Sequence, residues 1–161
     1  MESEHHTYPA DAPQILNAQL CFATYTAGMA FNRVYRQQLQ PLGLTYPQYV
    51  AMVVLWAQDG ITIGTLGDQV ALETNTLTPM LKRLEGMGLI ERRRDTADER
   101  RVLIHLTQTG RAMQERATDI LPRVNKATGL SVKELARLTH QMHSLRRNLT
   151  DHADRNEQRP G

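Results

Sequence analysis

The chain has 161 residues and contains little cysteine, few aromatic residues and no long apolar run. Its single cysteine, Cys21, excludes an internal disulfide, and nothing in the cysteine content indicates an oxidising compartment. No segment approaches the roughly 18 consecutive apolar residues that a membrane-spanning helix needs, and no signal peptide opens the chain. Aromatic residues make up 5% of the sequence while Leu, Ala, Met and Val are plentiful, which favours helices over a β-sandwich. We therefore expect a helical protein of the cytoplasm.

Patterns typical of enzymes and metal sites are also missing. Gly60, Gly64 and Gly67 match neither a P-loop nor a Rossmann fingerprint. His140 and His143 are three residues apart without a cysteine or carboxylate at ligand spacing, so a surface or bundle role is favoured over zinc. The sequence therefore predicts no metal, no cofactor and no enzymatic activity.

The charge of the chain is small in sum but biased in type. The formal net charge is +2, and all but three of the 19 basic residues are arginine. Arginine suits bidentate and groove contacts better than lysine does. A net charge this small does not by itself indicate a nucleic-acid partner, so the position of the arginines has to decide.

Helical periodicity, proline and glycine divide the chain into a series of elements. Pro13 fits the first turn of a helix that reaches Gln40 and ends at Pro41-Leu42-Gly43. The next helix is predicted from Pro47 to about Asp59, and the residues expected on its inner stripe are Val50, Val53, Val54 and Ala57. We assign five segments: 1–12 as a disordered N-terminus, 13–45 as an N-terminal dimerisation and sensor helix, 46–106 as a winged helix-turn-helix DNA-binding region, 107–150 as C-terminal dimerisation helices, and 151–161 as a flexible tail.

Residues 62–87 indicate a helix-turn-helix. Thr62 can cap a short helix, and after a turn over 71–74 a second helix should begin near 74–76, because Pro79 is tolerated only close to a helix start. The positions spaced to face the core are Leu77, Met80, Leu81 and Leu84. The opposite face suits a DNA major groove, and its candidate DNA contacts are Asn75, Thr76, Thr78, Pro79, Lys82 and Arg83.

A basic hairpin follows, with strands predicted over 89–94 and 101–106. An arginine at its tip can enter a narrow minor groove, where the electrostatic potential is most negative. The candidates here are Arg94 and Arg100, with Asp98 placed to shape the loop by accepting hydrogen bonds. The fold class is therefore mainly α with a small β-hairpin wing: a winged helix-turn-helix domain with N- and C-terminal dimerisation helices.

The C-terminal part continues with helices. Thr107 can cap one helix, whose inner positions are Met113, Ala117, Ile120 and Val124. Ser131 and Glu134 form a capping box for the last helix. Leu135, Leu138, Met142, Leu145 and Leu149 then follow at spacings of three and four, which is typical of a helix–helix interface.

Several motifs resemble a known family. Asp98-Glu99-Arg100 ahead of Leu106-Thr107-Gln108-Thr109-Gly110, in this order of elements, resembles the MarR family of winged-helix regulators over about residues 14–150. The resemblance implies a homodimer on a pseudo-palindromic operator in double-stranded DNA, with repression relieved by a ligand or an oxidant. The OhrR subfamily of organic-hydroperoxide sensors, in its single-cysteine type, is similar in 20–25, 35–37, 41–49 and 76–85.

Cys21, Tyr25 and Tyr35 share one stripe of the first predicted helix. Tyr35 is about 21 Å along the helix axis from Cys21, so a contact between them requires a second, oppositely directed copy. The OhrR resemblance implies this arrangement, in which Tyr25 and Tyr35 of the partner subunit bind the thiol. A helix that starts near Pro13 leaves Cys21 about two turns inside, beyond the reach of the helix dipole, so we expect phenols or another helix end to stabilise the thiolate; a later start would reverse that order.

The chemistry implied is oxidation of Cys21 by an organic hydroperoxide to a sulfenic acid, followed by a mixed disulfide with a small-molecule thiol or by over-oxidation. Operator DNA is then released and peroxide-detoxification genes are derepressed. Two alternatives stay open: a regulator of the same fold released by a small aromatic or phenolic ligand, with Cys21 incidental, and a thiol peroxidase that uses Cys21 catalytically.

Overall fold

The computed structural model describes residues 16–96, 98 and 100–157. Within them the chain is mostly helical, with one small three-stranded sheet. The predicted terminus over 1–12 and the last residues of the predicted tail, 158–161, lie outside the described residues. The elements are α1 (Leu20–Leu39), a 3-10 helix (Gln40–Leu42), α2 (Tyr46–Ala57), β1 (Ile61–Thr62), α3 (Ile63–Val70), α4 (Thr74–Gly86), β2 (Ile90–Arg94), β3 (Val102–Leu106), α5 (Gln108–Ala117), α6 (Ile120–Ala127) and α7 (Val132–Glu157).

The first long helix begins later than the sequence predicts. Residues 16–18 are helical, but Gln19 adopts an extended conformation with φ −87° and ψ 122°, and α1 starts at Leu20. The predicted start at Pro13 lies outside the described residues. The expectation that Cys21 lies two turns inside an uninterrupted helix is therefore wrong. The other end is as predicted, since Pro41 follows α1 and Gly43 reverses the chain with φ +68°.

Helix α2 buries a face other than the predicted one. Its buried residues include Tyr49, Ala51, Met52 and Leu55, whereas Val53 is 42% exposed. The inner stripe predicted from Val50, Val53, Val54 and Ala57 is wrong. The segment 49–57 is apolar or nearly so on all sides, and periodicity cannot select one face of such a helix.

The helix-turn-helix forms as predicted. The Thr62 hydroxyl oxygen accepts a hydrogen bond from the Thr65 backbone N–H at 3.1 Å and caps α3. Helix α4 starts at Thr74, which leaves Pro79 in its second turn, and the predicted core positions Leu77, Met80, Leu81 and Leu84 are all buried. This packing fixes which face of α4 points to solvent.

The sheet has the order β1-β3-β2, with both pairs antiparallel. The hairpin runs from the pair Ile90 and Leu106 to the pair Arg94 and Val102, in agreement with the predicted strands. Strand β1 was not predicted, because two residues are too few to show alternation. Ile104 and Leu106 of β3 are buried, whereas Val102 is half-buried.

Helix α5 packs very close to the start of β2. A Cβ at Gly110 would lie 2.0 Å from the Leu89 carbonyl oxygen, so only glycine fits there. The Trp56 indole N–H donates to the Gly110 carbonyl oxygen at 2.9 Å and joins α2 to α5. Thr107 caps α5 as predicted by accepting from the Gly110 N–H at 3.0 Å. The predicted inner positions from Met113 to Val124 are buried, but they belong to two helices rather than one.

The chain divides into two compact units, one ending at Ile120 and the other starting at Leu121. In the second unit the predicted capping box is present, since Glu134 Oε2 accepts from the Ser131 N–H at 2.8 Å and Ser131 Oγ accepts from the Glu134 N–H at 3.3 Å. Helix α7 continues to Glu157, seven residues into the predicted flexible tail, because 151–157 contains neither proline nor glycine. None of the helices in the described residues is long and apolar enough to span a membrane.

Candidate nucleic-acid interface and thiol site

The solvent-facing side of α4 carries the predicted major-groove contacts. Five of the six predicted residues are exposed and Thr78 is half-buried: Asn75, Thr76, Thr78, Pro79, Lys82 and Arg83. Short polar groups lie near the N-terminal end of the helix, and the two cations lie one to two turns further on. This order suits base edges for the first group and phosphates for the second.

Thr78 has a fixed hydroxyl. Its Oγ1 donates to the Thr74 carbonyl oxygen at 2.8 Å, so the hydroxyl proton is used within α4. The side chain therefore offers lone pairs and a methyl group to a ligand, rather than a donor. Thr76 hydrogen bonds to the Asn75 side chain at 3.3 Å.

The wing arginines separate into paired and unpaired residues. Arg92 binds Glu85 of α4, with Nε 3.0 Å from Oε2, and Arg93 binds Glu91. The hydrogen bond from Arg92 and its charge hold the pKa of Glu85 below its ordinary value. Arg94 and Arg100 are exposed, and no ion pair joins either of them to another described residue. The fifth arginine, Arg101, lies 3.9 Å from Asp95. Of the five, Arg94 and Arg100 thus remain available to a polyanion, and both were predicted from the sequence.

The wing loop is shaped by Asp98. Its Oδ1 accepts from the Arg100 backbone N–H at 3.1 Å, and its carbonyl oxygen accepts from the Arg101 N–H at 2.9 Å. The Asp95 N–H donates to the Arg101 carbonyl oxygen at 2.9 Å and closes the hairpin. The loop thereby holds the Arg100 backbone in place.

The thiol lies at the beginning of α1. Cys21 is the second residue of the helix and is exposed, and its Sγ donates to Gln19 Oε1 at 3.6 Å. The first turn of a helix favours negative charge. The sulfur therefore lies in the first turn of α1, where a helix dipole acts, and not two turns inside the helix.

Tyr35 points into a cluster of aromatic rings. It is buried, and its ring centroid lies 4.4 Å from that of Tyr46 and 5.9 Å from that of Tyr49. Burial, together with the neighbouring phenols, raises the pKa of Tyr35 to about 12. Tyr35 therefore keeps its proton at neutral pH, and its hydroxyl is able to donate a hydrogen bond. Tyr46 was not predicted as a site residue, since it lies on α2 and no spacing along the sequence relates it to Tyr35.

A shallow hollow of about 330 Å³ opens beside these rings, lined by Gly28, Phe31, Asn32, Tyr35 and Tyr46. Tyr25 is not part of it and is 63% exposed on α1. Of the predicted redox residues, Tyr35 lies at the hollow, whereas Cys21 and Tyr25 lie near the start of α1. No three His, Cys, Asp or Glu side chains gather as a metal site in the part of the chain that the structure describes.

Comparison with known proteins decides the family. The family model for the transcriptional regulators SarA/Rot matches residues 33–116. The HTH-type transcriptional regulator TtmR of Methylorubrum extorquens is 44% identical over 137 residues, which cover 84% of this chain and 70% of TtmR. The organic hydroperoxide resistance transcriptional regulator of Bacillus subtilis is 42% identical over 123 residues, which cover 74% of this chain and 84% of that protein.

This chain is a transcriptional regulator of the MarR family. The structure of reduced AbfR bound to DNA matches it with a TM-score of 0.73 and 31% identity, covering 89% of this chain and 98% of AbfR. AbfR, from Staphylococcus epidermidis, has also been crystallised overoxidised on DNA and in a disulfide form. The predicted winged-helix fold and the MarR and OhrR resemblances are confirmed by these matches.

In this MarR-family regulator the face of α4 and the wing lie in one unit, together with α1. The relatives named above are transcriptional regulators, not enzymes. Two residues with contacts to the predicted sites were missed by sequence reasoning: Tyr46, beside Tyr35, and Glu85, which binds the wing residue Arg92. The pair Glu85 and Arg92 had a sequence signal, since a carboxylate late in α4 precedes a basic strand, but only the fold joins them.

Proposed function

We propose that this regulator is a homodimeric, DNA-binding repressor and that Cys21 is its sensor for organic hydroperoxides. Oxidation of the thiol lowers the affinity for a pseudo-palindromic operator. The observation that carries the proposal is the position of Tyr35 and Tyr46, which line one hollow about 21 Å along α1 from Cys21. The thiol lies at the start of α1, whereas Tyr35 lies near its end with Tyr46 of α2 beside it, so the thiol and the phenols meet when two copies of α1 pack antiparallel.

Exposed apolar residues on α1 support a partner for that helix. Leu20 is 57% exposed and Phe31 45%, and the two lie on one side of α1, about 20° apart around its axis, whereas Met29, 51% exposed, lies on the opposite side. Exposed apolar residues on one side of a helix are typical of an interface. A two-fold axis gives two identical sites, each with Cys21 from one subunit and the phenols from the other.

The phenols have a defined chemical role in this proposal. Tyr35 stays protonated because burial raises its pKa to about 12, so it donates a hydrogen bond and favours a thiolate over a thiol. Tyr46 stacks against it and is 39% exposed, which leaves its hydroxyl open to a second hydrogen bond. Tyr25 of the partner subunit, the other phenol selected from the sequence, remains a candidate donor.

The reaction consumes one hydroperoxide for each sulfur. The Cys21 thiolate attacks the terminal oxygen of ROOH, the S–O bond forms, and the O–O bond breaks. The alkoxide leaves and takes a proton to give ROH, while the sulfur becomes a sulfenic acid. A small-molecule thiol then attacks the sulfenic sulfur, which yields a mixed disulfide and water; a second hydroperoxide would instead give the sulfinic acid and another ROH.

Release of DNA follows from the dimer geometry. Two α4 helices reach successive major grooves only at one separation, so a bulky group on Cys21 at the subunit interface moves the half-site spacing away from the DNA repeat. AbfR has been crystallised on DNA in the overoxidised form. We therefore expect the larger mixed disulfide, rather than the sulfinic acid, to be the product that releases the operator.

The DNA contacts in this proposal are the exposed residues of α4 and the wing. Asn75, Thr76, Thr78 and Pro79 face base edges, Lys82 and Arg83 face phosphates, and Arg94 and Arg100 reach the minor groove with the loop held by Asp98. The relatives of known structure that carry DNA support this use of the fold.

The experiment uses the site that the unmodified chain selects from a random-sequence DNA pool. Cumene hydroperoxide with a small thiol should add the mass of that thiol to each subunit and weaken binding in a gel shift. Cys21→Ser should bind the same DNA and lose the response. Met29→Leu is the matched control, because Met29 is the other exposed sulfur that α1 presents within its first three turns; it should keep the response.

A second candidate function has one observation in its favour. The hollow beside Tyr35 is open and mostly apolar, which suits a small aromatic or phenolic ligand. In that case Cys21 is incidental and the Cys21→Ser variant releases DNA as the unmodified chain does. A chain that consumes hydroperoxide continuously with added thiol would instead be a thiol peroxidase.

A further inference from the structure

Asp59 lies where three parts of the DNA-binding unit meet. It follows the end of α2, and its carboxylate reaches both the root of the wing and the first turn of α5. Oδ1 accepts from the Leu106 backbone N–H at 2.8 Å and from its neighbour Gly60 N–H at 2.9 Å, and Oδ2 accepts from Arg111 at 2.6 Å. The side chain is only 24% exposed.

The charged form of the Asp59 carboxylate is stabilised although the side chain is mostly buried. Partial burial by itself raises the pKa of Asp59, but the hydrogen bonds from the Leu106 N–H, Arg111 and the Gly60 N–H outweigh it and leave the pKa below the ordinary value. The surrounding contacts therefore favour the charged form, which has both oxygens occupied.

Neighbouring contacts restrict the same junction. The Gly60 N–H also donates to the Ile104 carbonyl oxygen of β3 at 3.0 Å, and Gly60 has φ +73°. A Cβ there would lie 2.9 Å from His105 Cε1, so the close approach and the positive φ together favour glycine. His105 Nδ1 lies 3.9 Å from Asp59 Oδ1. The C-terminal end of β3 is thus tied to α2 by Asp59, while its other end leads to the wing loop.

We propose that Asp59 is a positioning residue for DNA recognition: by holding Leu106 and Arg111 it fixes the angle of the wing, so that Arg100 reaches the minor groove while α4 occupies the major groove. This rests on the proposed DNA-binding function. The wing is a two-stranded ribbon beyond β1, since β1 pairs only with Leu103 and Ile104. Its direction therefore depends on what holds the base of β3.

The direction of the change in DNA affinity distinguishes a positioning role of Asp59 from a purely electrostatic one. Removing a negative charge from a DNA-binding protein strengthens its binding to DNA. Asp59→Asn keeps an oxygen for the Leu106 N–H and loses the charge that holds Arg111, so positioning predicts weaker binding. Asp68→Asn is the matched control, because Asp68 is an exposed carboxylate of the same unit on α3.

The experiment measures affinity for the DNA selected from a random pool by the unmodified chain, in five chains: unmodified, Asp59→Asn, Arg100→Ala, the double variant and the control Asp68→Asn. We expect Asp59→Asn to weaken binding about tenfold with Arg100 present, and to have no further effect in the Arg100→Ala background. Asp68→Asn should bind as tightly as the unmodified chain or tighter. Equal losses from Asp59→Asn in both backgrounds, or tighter binding, would overturn the proposal.

A measurement without DNA keeps the two proposals distinguishable. Hydrogen exchange of the Leu106 amide should accelerate in Asp59→Ala, which removes the oxygen that accepts from the Leu106 N–H, while the amides of the α4 core residues keep their protection. Unchanged exchange at Leu106 overturns the positioning role whatever the DNA result. If the unmodified chain selects no DNA at all, the proposed function fails. If Arg100→Ala weakens binding to the selected DNA and Asp59→Asn does not, only the positioning role of Asp59 is rejected.

Discussion

The ring of Tyr46 lies against that of Tyr35, with 4.4 Å between centroids, although the two residues are on different helices. The bend at Pro41-Leu42-Gly43 returns α2 onto the end of α1 and brings the phenols together. A thiol that reaches Tyr35 from a second subunit therefore meets Tyr46 as well. This relationship determines how the sensor proposal is best tested.

Mixed dimers test whether the thiol and the phenols come from different subunits. We expect the Cys21→Ser homodimer not to react with cumene hydroperoxide and the Tyr35→Phe/Tyr46→Phe homodimer to react slowly. A mixed dimer of the two chains should regain one complete site, because the remaining thiol faces the intact phenols of the other chain. The measurement is the rate of sulfenic-acid formation by mass spectrometry.

The mixed-dimer assay has a control variant and an outcome that would contradict the prediction. Tyr25→Phe in place of the double phenol variant shows whether Tyr25 takes part in the site. If the mixed dimer reacts no faster than the Tyr35→Phe/Tyr46→Phe homodimer, the phenols do not act across the interface and the sensor proposal loses its geometric basis.

Lys82 and Arg100 should affect DNA binding in different ways. Lys82→Ala removes a phosphate contact, so it should weaken binding evenly across sequences and reduce the salt slope of log K by about 1. Arg100→Ala should in addition erase a preference for a narrow, A·T-rich minor groove. Competition between the selected DNA and a version with its flanking A·T pairs changed to G·C, at several salt concentrations, measures both effects. The same loss of sequence preference in both variants would argue against a minor-groove role for Arg100.

Gly110→Ala should destabilise the protein strongly. The new Cβ would lie 2.0 Å from the Leu89 carbonyl oxygen, a backbone atom that is held by the Thr107 N–H at 3.1 Å and directly precedes β2. We expect a loss of about 3 kcal/mol in the free energy of unfolding, since overpacking against a rigid neighbour costs about 1–3 kcal/mol or more. Trp56 is the only tryptophan and binds Gly110 itself, so its fluorescence reports the urea transition.

The control for this change is Gly86→Ala at the end of α4. Nothing lies within 4 Å of a Cβ there, so the variant should be as stable as the unmodified chain or up to about 1 kcal/mol more stable. A Gly110→Ala chain that unfolds at the same urea concentration as the unmodified one would contradict the close packing of α5 on β2.

Stability should depend on pH through Asp59. Its pKa in the folded chain lies below the ordinary 3.8, so its hydrogen bonds stabilise the folded state above that value, and the contribution is lost as the pH falls through the folded pKa. The free energy of unfolding of Asp59→Asn should therefore be lower than that of the unmodified chain at pH 7, by about 1 kcal/mol. The difference should shrink below about pH 4. Urea titrations from pH 7 to pH 3 measure it, and a difference that is constant down to pH 3 would contradict the assignment.

Prediction from the sequence was most successful for elements of the fold in which capping residues and hydrophobic periodicity agree. The core face of α4, the caps at Thr62 and Thr107, the capping box at Ser131 and the hairpin all form as expected. It failed where the local signal is ambiguous. The segment 49–57 is apolar all round, so its buried face was chosen by packing, and β1 is too short to show a pattern.

The start of α1 shows the same limit for the candidate thiol site. Pro13 is a good first-turn residue, and nothing in the sequence marks Gln19 as a break, yet its extended backbone places Cys21 in the first turn of α1. The pattern of residues identified the cysteine, whereas its electrostatic surroundings depended on one backbone conformation.

The sequence by itself determined the helix-turn-helix and its hairpin, the solvent-facing side of α4, the arginines of the wing and the single sulfur, because these follow from residue type and short-range spacing. Only the tertiary structure decided that Tyr46 joins Tyr35, that Arg92 is held by Glu85, and that Asp59 holds the base of the wing. Each of these contacts joins separate elements, and their partners are fixed by how α2, α4 and β3 pack rather than by any distance along the chain.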